Sequence, residues 1–284
     1  MKNIPVRNIA SAIAPASGRF SIRRVQDILN GNDLLHDLHR HNFYFVLALE
    51  KGDGCHDIDF TPHKVVDCSI FLLRPGQVHQ LQLKSGATGY LMEFDNAFYH
   101  PKEKEAQHLR RANNQHVYLL DTSRFKRVMA VLSNIYEEFT QKQGGYQEII
   151  KANLQIFYIE LVRQSPESNS PATNGTTYMQ ERFEEFTELL ETNITSCKQV
   201  SQYTDLMSLS SYQLNEITKT AVGKTASVLI DEYIILEAKR YLLATSNQVK
   251  DIADQLGYED VSYFIRFFKK HTGASPDVFR KNFK

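Results

Sequence analysis

The 284 residues carry 33 Lys and Arg against 33 Asp and Glu, a formal net charge of zero, with 42% hydrophobic and 23% charged side chains. That is enough chain for two domains with separate cores, and the balance of charge excludes a protein that coats nucleic acid non-specifically. No apolar run approaches the ~20 residues that cross a bilayer, so no membrane partner is expected. The opening MKNIPVRNIASAIAPASGRF lacks the long apolar centre of a secretory signal. Cys55, Cys68 and Cys197 are odd in number and unpatterned, which suits a reducing cytoplasm and ordinary packing.

Up to Leu38 the signals are mixed, and Ser21 to Leu29 fits a short helix or an edge strand equally well. Phe43 to Leu49 is then a continuous apolar run of strand length. His56 to Phe60, Val65 to Asp67, Ser69 to Leu73, Gln80 to Leu83 and Gly89 to Phe94 follow as short strands, punctuated by Pro62, Pro75-Gly76 and Ser85-Gly86; Val117 to Leu120 closes the series. Short strands at this spacing, with Gly and Pro between them, predict a small antiparallel barrel or sandwich over about residues 36–120. Ser123 to Gln141 and Tyr146 to Gln164 carry apolar residues at three and four, split by Gly144-Gly145, and predict a helical hairpin over 123–164. Residues 165–177 hold almost no apolar side chain and read as a linker between domains 1–164 and 178–284.

The second half is all helical in pattern. Arg182 to Thr192 is amphipathic. Val200, Tyr203, Thr204 and Met207 are matched 49 residues later by Val249, Ile252, Ala253 and Leu256; Leu214, Ile217, Lys219 and Gly223 are matched 50 residues later by Phe264, Phe267, Lys269 and Gly273. This is an internal repeat of two helix-turn-helix units. Ser210 with Gln213 forms a capping-box pattern, and Asp260 is placed to cap the corresponding helix of the second unit. Ala226 to Ala244 runs between the units; as one helix it spans about 28 Å, a rod that suits two readers about 34 Å apart, one turn of DNA. From Tyr178 onward 13 basic face 15 acidic side chains, yet from Arg266 to Lys284 six basic residues face Asp277 alone, so the positive field is local.

The stretch from Ala253 to Pro276 reads A-x-x-L-G-Y-x-x-x-S-Y-F-x-R-x-F-K-K-x-x-G-x-S-P. Turn, core and basic positions together resemble the C-terminal signature of AraC/XylS-type transcription regulators. His39-Arg-His41 and Arg74-Pro-Gly-Gln-Val-His79 resemble the H-x-H and P-x-x-x-H half-motifs of the cupin barrel, and cupin-like sensor domains precede the DNA-binding half in many of these regulators. The two resemblances cover roughly residues 39–98 and 178–282. They imply two domains: an N-terminal all-β cupin-like barrel with a helical hairpin that dimerises, and a C-terminal all-α domain with two helix-turn-helix units. They also imply a cytoplasmic regulator, more often an activator, that binds promoter DNA, meets RNA polymerase and answers a small-molecule effector.

The outward positions of the first reading helix are Ser211, Tyr212, Gln213, Asn215, Glu216 and Lys219, and those of the second are Ser262, Tyr263, Arg266, Lys269 and Lys270. Gln and Asn pair with adenine, Glu accepts from cytosine and Arg binds guanine, while Lys269 and Lys270 suit phosphates. The first unit departs from the family pattern: Thr218 stands where an aromatic is usual, Glu216 where a base is common, and Ser208 where the turn has glycine. The second helix is therefore expected to bind more strongly. For an effector, His39, His41, Tyr44, Arg74, His79 and Tyr90 are candidate lining residues. The usual carboxylate four residues after the second histidine is replaced by Phe45, so the three histidines read as ordinary hydrogen-bonded or surface side chains, with no metal, no cofactor and no catalytic residue expected. A regulator whose barrel only dimerises, and a metal-dependent cupin enzyme, are the alternatives.

Overall fold

The computed structural model describes residues 6–7, 19–163 and 174–282. These fall in two compact units, one ending at residue 163 and one starting at residue 174.

The first unit runs β1 (Val6–Arg7), β2 (Phe20–Arg24), α1 (Val25–Leu29), β3 (Leu34–His41), β4 (Tyr44–Lys51), β5 (Gly54–Ile58), β6 (Thr61–Val65), β7 (Ser69–Leu73), β8 (Val78–Leu83), β9 (Thr88–Phe94), α2 (Glu103–Asn113), β10 (Val117–Leu119), α3 (Thr122–Gln141) and α4 (Tyr146–Val162). The strands form two five-stranded sheets, ordered β1-β3-β8-β5-β6 and β10-β7-β4-β9-β2. Every pairing is antiparallel except β1 with β3. The apolar run of β4 is continuous because both of its faces are covered. Phe45, Leu47 and Leu49 join Phe71, Leu73, Leu81 and Leu91 in a core inside the barrel. Val46 and Ala48 join Ile70, Leu72, Met92 and Phe94 in a second core, closed by Val128 and Leu132 of α3 and by Leu154 and Phe157 of α4.

Several boundaries differ from the expectation. Ser21 to Leu29 is both alternatives in succession, the end of β2 and then α1. β3 was not expected, since its exposed Leu35 and Asp37 hide the alternation. The strand placed at His56 to Phe60 stops at Ile58, because Asp59 and Phe60 take φ of 46° and 69° and make a two-residue hairpin turn. Pro62, read as a separator, lies within β6, an edge strand whose missing N–H costs no ladder bond. Helix α2 was also missed; only Leu109 and Ala112 are its buried apolar residues, too few for a periodic signal. The hairpin of α3 and α4 lies within two residues of its expected ends.

The second unit holds α5 (Asn174–Asn193), α6 (Val200–Met207), α7 (Ser211–Val222), α8 (Ala226–Ala244), α9 (Val249–Gln255), α10 (Val261–Thr272) and α11 (Pro276–Asn282). Residues 165–173 of the expected linker lie outside the described residues, and α5 begins inside the remainder. Its core takes Phe186 and Leu190 from α5, Leu214 and Ile217 from α7, Ile230, Ile234 and Leu242 from α8, and Phe264 and Phe268 from α10. Val228 and His271 are exposed. Among the described residues no helix is long and apolar enough to cross a membrane.

Candidate nucleic-acid interface and barrel interior

The two repeat units start their reading helices by the same physics. Ser210 Oγ accepts from the Gln213 N–H at 3.2 Å while Gln213 Oε1 accepts from the Ser210 N–H at 2.9 Å, so two orphan donors of α7 are satisfied reciprocally. Asp260 Oδ1 accepts from the Ser262 N–H at 2.7 Å and starts α10. Both helices end on a left-handed glycine, Gly223 and Gly273. Between α9 and α10 the turn needs Gly257: its φ is 73°, and a Cβ there would stand 1.8 Å from the Thr195 carbonyl oxygen.

On α10, Ser262, Tyr263, Arg266, Lys269 and Lys270 are all exposed. The Arg266 guanidinium is held only loosely by Asp260, at 3.9 Å, so it can turn to another acceptor. On α7, Ser211, Tyr212, Glu216 and Lys219 are exposed, Tyr212 by 75%. Two expected readers are already engaged. Asn215 is half-buried and its Oδ1 accepts the Ala226 N–H at 3.0 Å, capping α8. Gln213 spends its oxygen on the capping box. Arg280, counted with the basic patch, instead donates to the carbonyls of Leu242 and Asn247 at 2.9 and 2.7 Å, closing the C-terminal end of α8.

In the barrel, the expected effector residues divide. His39, His41 and His79 are buried together, with one ring nitrogen of each within 4.8 Å of the others. Tyr44 and Tyr90 point the other way: Tyr44 stacks on Phe94 at 5.0 Å, Tyr90 meets Tyr136 of α3, and both belong to the core under the helices. Arg74 is half-buried just beyond β7, its backbone N–H donating to Gln77 Oε1 at 2.7 Å. The residue missed is His56. Its Nε2 lies 2.8 Å from His79 Nδ1 in full burial. The signal was present, since His56 shares strand parity with buried Ile58. Burial, then the surrounding imidazoles led by His63, pushes His56 down to about 3. Burial likewise holds His79 well below the usual imidazole range. Cys55, Cys68 and Cys197 are all free thiols.

Residues 203–282 match the helix-turn-helix domain family, and residues 29–156 match the AraC-like ligand binding domain. The chain belongs to the AraC family of transcriptional regulators. The raffinose operon transcriptional regulatory protein RafR of Pediococcus pentosaceus is 27% identical over 177 residues, which are 62% of this chain and 58% of RafR. The transcriptional activator RhaR of Yersinia pestis bv. Antiqua (strain Angola) is 19% identical over 255 residues, 86% of this chain and 84% of RhaR. The unsaturated fatty acid-bound ToxT structure from Vibrio cholerae strain SCE256 is 16% identical, covers 92% of this chain and 94% of its own, and superposes with a TM-score of 0.44.

The departures from the AraC pattern now have structural settings. Ser208 does take the turn geometry of glycine, with φ of 52°. Thr218 is fully buried and donates to the Asn215 carbonyl at 3.2 Å, so the smaller side chain is accommodated by a local hydrogen bond. Phe45, in place of the barrel carboxylate, is buried against the rings of His41 and His79 at 5.6 and 5.2 Å.

Proposed function

We propose that this AraC-family chain binds double-stranded DNA sequence-specifically through α7 and α10 and regulates transcription, as an activator, in the form of a homodimer whose barrel domain answers an effector. The observation that carries this reading is the repeated unit: two capped helices, each with a buried apolar stripe and an exposed polar or basic face, joined by the single helix α8. A helical pair that only packs has no use for the exposed Tyr212, Tyr263, Arg266, Lys269 and Lys270. Such faces suit major-groove entry, with base edges read by Arg266 and Tyr263 and phosphates held by the lysines. RNA polymerase is the partner that activation requires.

The test is selection of bound fragments from a genomic DNA pool, followed by titration of the enriched site. Enrichment of one motif with two half-elements, and reporter expression that rises with the intact chain, is the expected result. Uniform retention of all fragments overturns the reading. A second reading keeps DNA binding and drops the effector, because the core inside the barrel is already densely filled by Phe45, Leu47, Phe71, Leu73 and Leu81. A thermal-shift screen with sugars and small metabolites separates the two.

A further inference from the structure

The two sheets of the first unit end in β6 and β10, and among the described residues neither of these edges has a further strand beside it. A groove of about 670 Å³ runs between them, walled by Pro62, Lys64 and Val66 on one side and by Val117, Leu119 and Leu120 on the other. Ligand clefts span about 300–1,000 Å³. The ladder fixes which main-chain groups face this groove. The Leu72 N–H donates to the His116 carbonyl at 2.9 Å, and the Leu120 N–H donates to the Cys68 carbonyl at 3.2 Å. Antiparallel pairs alternate between bonded and non-bonded, so Tyr118 also turns to β7, while Val117 and Leu119 turn their N–H and C=O away from it. On the other edge, the Lys84 N–H donates to the Asp53 carbonyl and the Asp59 N–H to the Val78 carbonyl, both at 2.9 Å. The odd-numbered residues of β5 thus bond to β8 and the even-numbered ones to β6, which leaves Pro62 and Lys64 of β6 turned outward.

The side chains give the two edges different characters. β10 is Val-Tyr-Leu, with neither the proline nor the charge that guards a sheet edge. Val117 packs on the core inside the barrel, and Leu119, of the same parity, is 67% exposed. The Gln115 side-chain amide donates to the Val117 carbonyl at 2.6 Å, standing where a neighbouring strand would place an N–H. β6 is guarded: Pro62 has no N–H to offer, and Lys64 is exposed, with no ion-pair partner among the described residues. Val65 fills the barrel core, so Lys64 lies on the opposite, outer face. An extended segment laid along β10 would set every second side chain beside Val117 and Leu119, which call for apolar groups. The side chains between would lie on the face of Lys64, which calls for a carboxylate.

We infer that β10 is a docking edge for an extended segment of a partner protein that alternates apolar and acidic residues, added as a strand in the groove beside β6. This goes beyond the effector and DNA-binding readings and rests on neither. The probe is fluorescently labelled Val-Glu-Val-Glu-Val with blocked ends, whose valines turn their main-chain groups to β10 in this register. It is titrated into the full-length chain by anisotropy, and amide spectra of the isotope-labelled chain are recorded alongside. Saturable binding of one peptide per chain is expected, with the Val117 and Leu119 amide signals shifting. The same peptide N-methylated at its central valine should bind at least about tenfold more weakly, since it loses a main-chain donor and gains a clash. Lys64→Glu should weaken the acidic peptide about tenfold and bind Val-Lys-Val-Lys-Val instead, a rescue that a misfolded variant would not show. Absence of saturable binding, equal binding of the N-methylated peptide, or indifference of Lys64→Glu to the peptide's charge overturns the inference. So does a Leu119 signal that moves with chain concentration and not with peptide, which would give the edge to a second copy. In each event the selection of DNA fragments is unaffected.

Discussion

At the scale of the residue, the reading faces divide into groups that the fold uses and groups that it leaves available. Arg266 is exposed with only a 3.9 Å partner. Replacing it by Ala should weaken binding to the selected site by about 1–3 kcal/mol and relax preference at one base pair, as measured by anisotropy titration against point-substituted sites. No change in either would remove it from the interface. Asn215 is the contrast. Its carbonyl oxygen accepts the Ala226 N–H, so Asn215→Ala should destabilise the second unit by about 1 kcal/mol, read as a lower urea midpoint, and leave the ranking of DNA sites unchanged. From the sequence both residues look like polar outward positions of a recognition helix. Only the neighbouring start of α8 tells them apart.

Elements carry predictions of a different kind. The turns of the two units have the same geometry but not the same residue: Gly257 has φ of 73° and Ser208 has φ of 52°. An L-residue with a Cβ pays roughly 1 kcal/mol in that region. Ser208→Gly should therefore raise stability by about 0.5–1 kcal/mol in chemical denaturation. Gly257→Ala should be far more damaging than that conformational term, because its Cβ would collide with the Thr195 carbonyl, and loss of soluble folded protein is the expected readout. In the first unit, α4 presents Ile149 and Ile156, seven residues apart on one face, 42% and 47% exposed. If this face joins two copies, Ile156→Glu should shift the chain from dimer to monomer in sedimentation velocity while its Tm falls little, since the side chain is not part of the core. A monomeric parent protein would dispose of that assignment.

For the whole molecule, zero net charge and an acidic C-terminal half leave few cations to hold DNA. Arg280 is withdrawn further by its two bonds to backbone carbonyls near the end of α8. The salt dependence of specific binding should therefore be shallow for a DNA-binding protein. Lys269→Ala should reduce the slope of log K against log salt by about 1 without altering which sequence is preferred. A slope unchanged in that variant would place Lys269 away from phosphate.

The sequence by itself determined the features whose cause is local or periodic. Ser210 with Gln213, Asp260, Gly257 and Gly273 fix where helices start, turn and stop, and all four act as their chemistry requires. The 49- and 50-residue repeat and the uninterrupted α8 were legible for the same reason, as was the hairpin of α3 and α4. The tertiary structure decided what depends on the second partner. Strand parity alone could not say which side of β4 or β9 faces the barrel, because both sides are buried, so Tyr44 and Tyr90 were assigned to the wrong interior. His56, on β5, gained meaning only when β8 was laid beside it with His79 at 2.8 Å. An imidazole in a sequence is a side chain with two possible protons; which nitrogen keeps its lone pair is set by carbonyls and rings that only the folded sheet brings within reach.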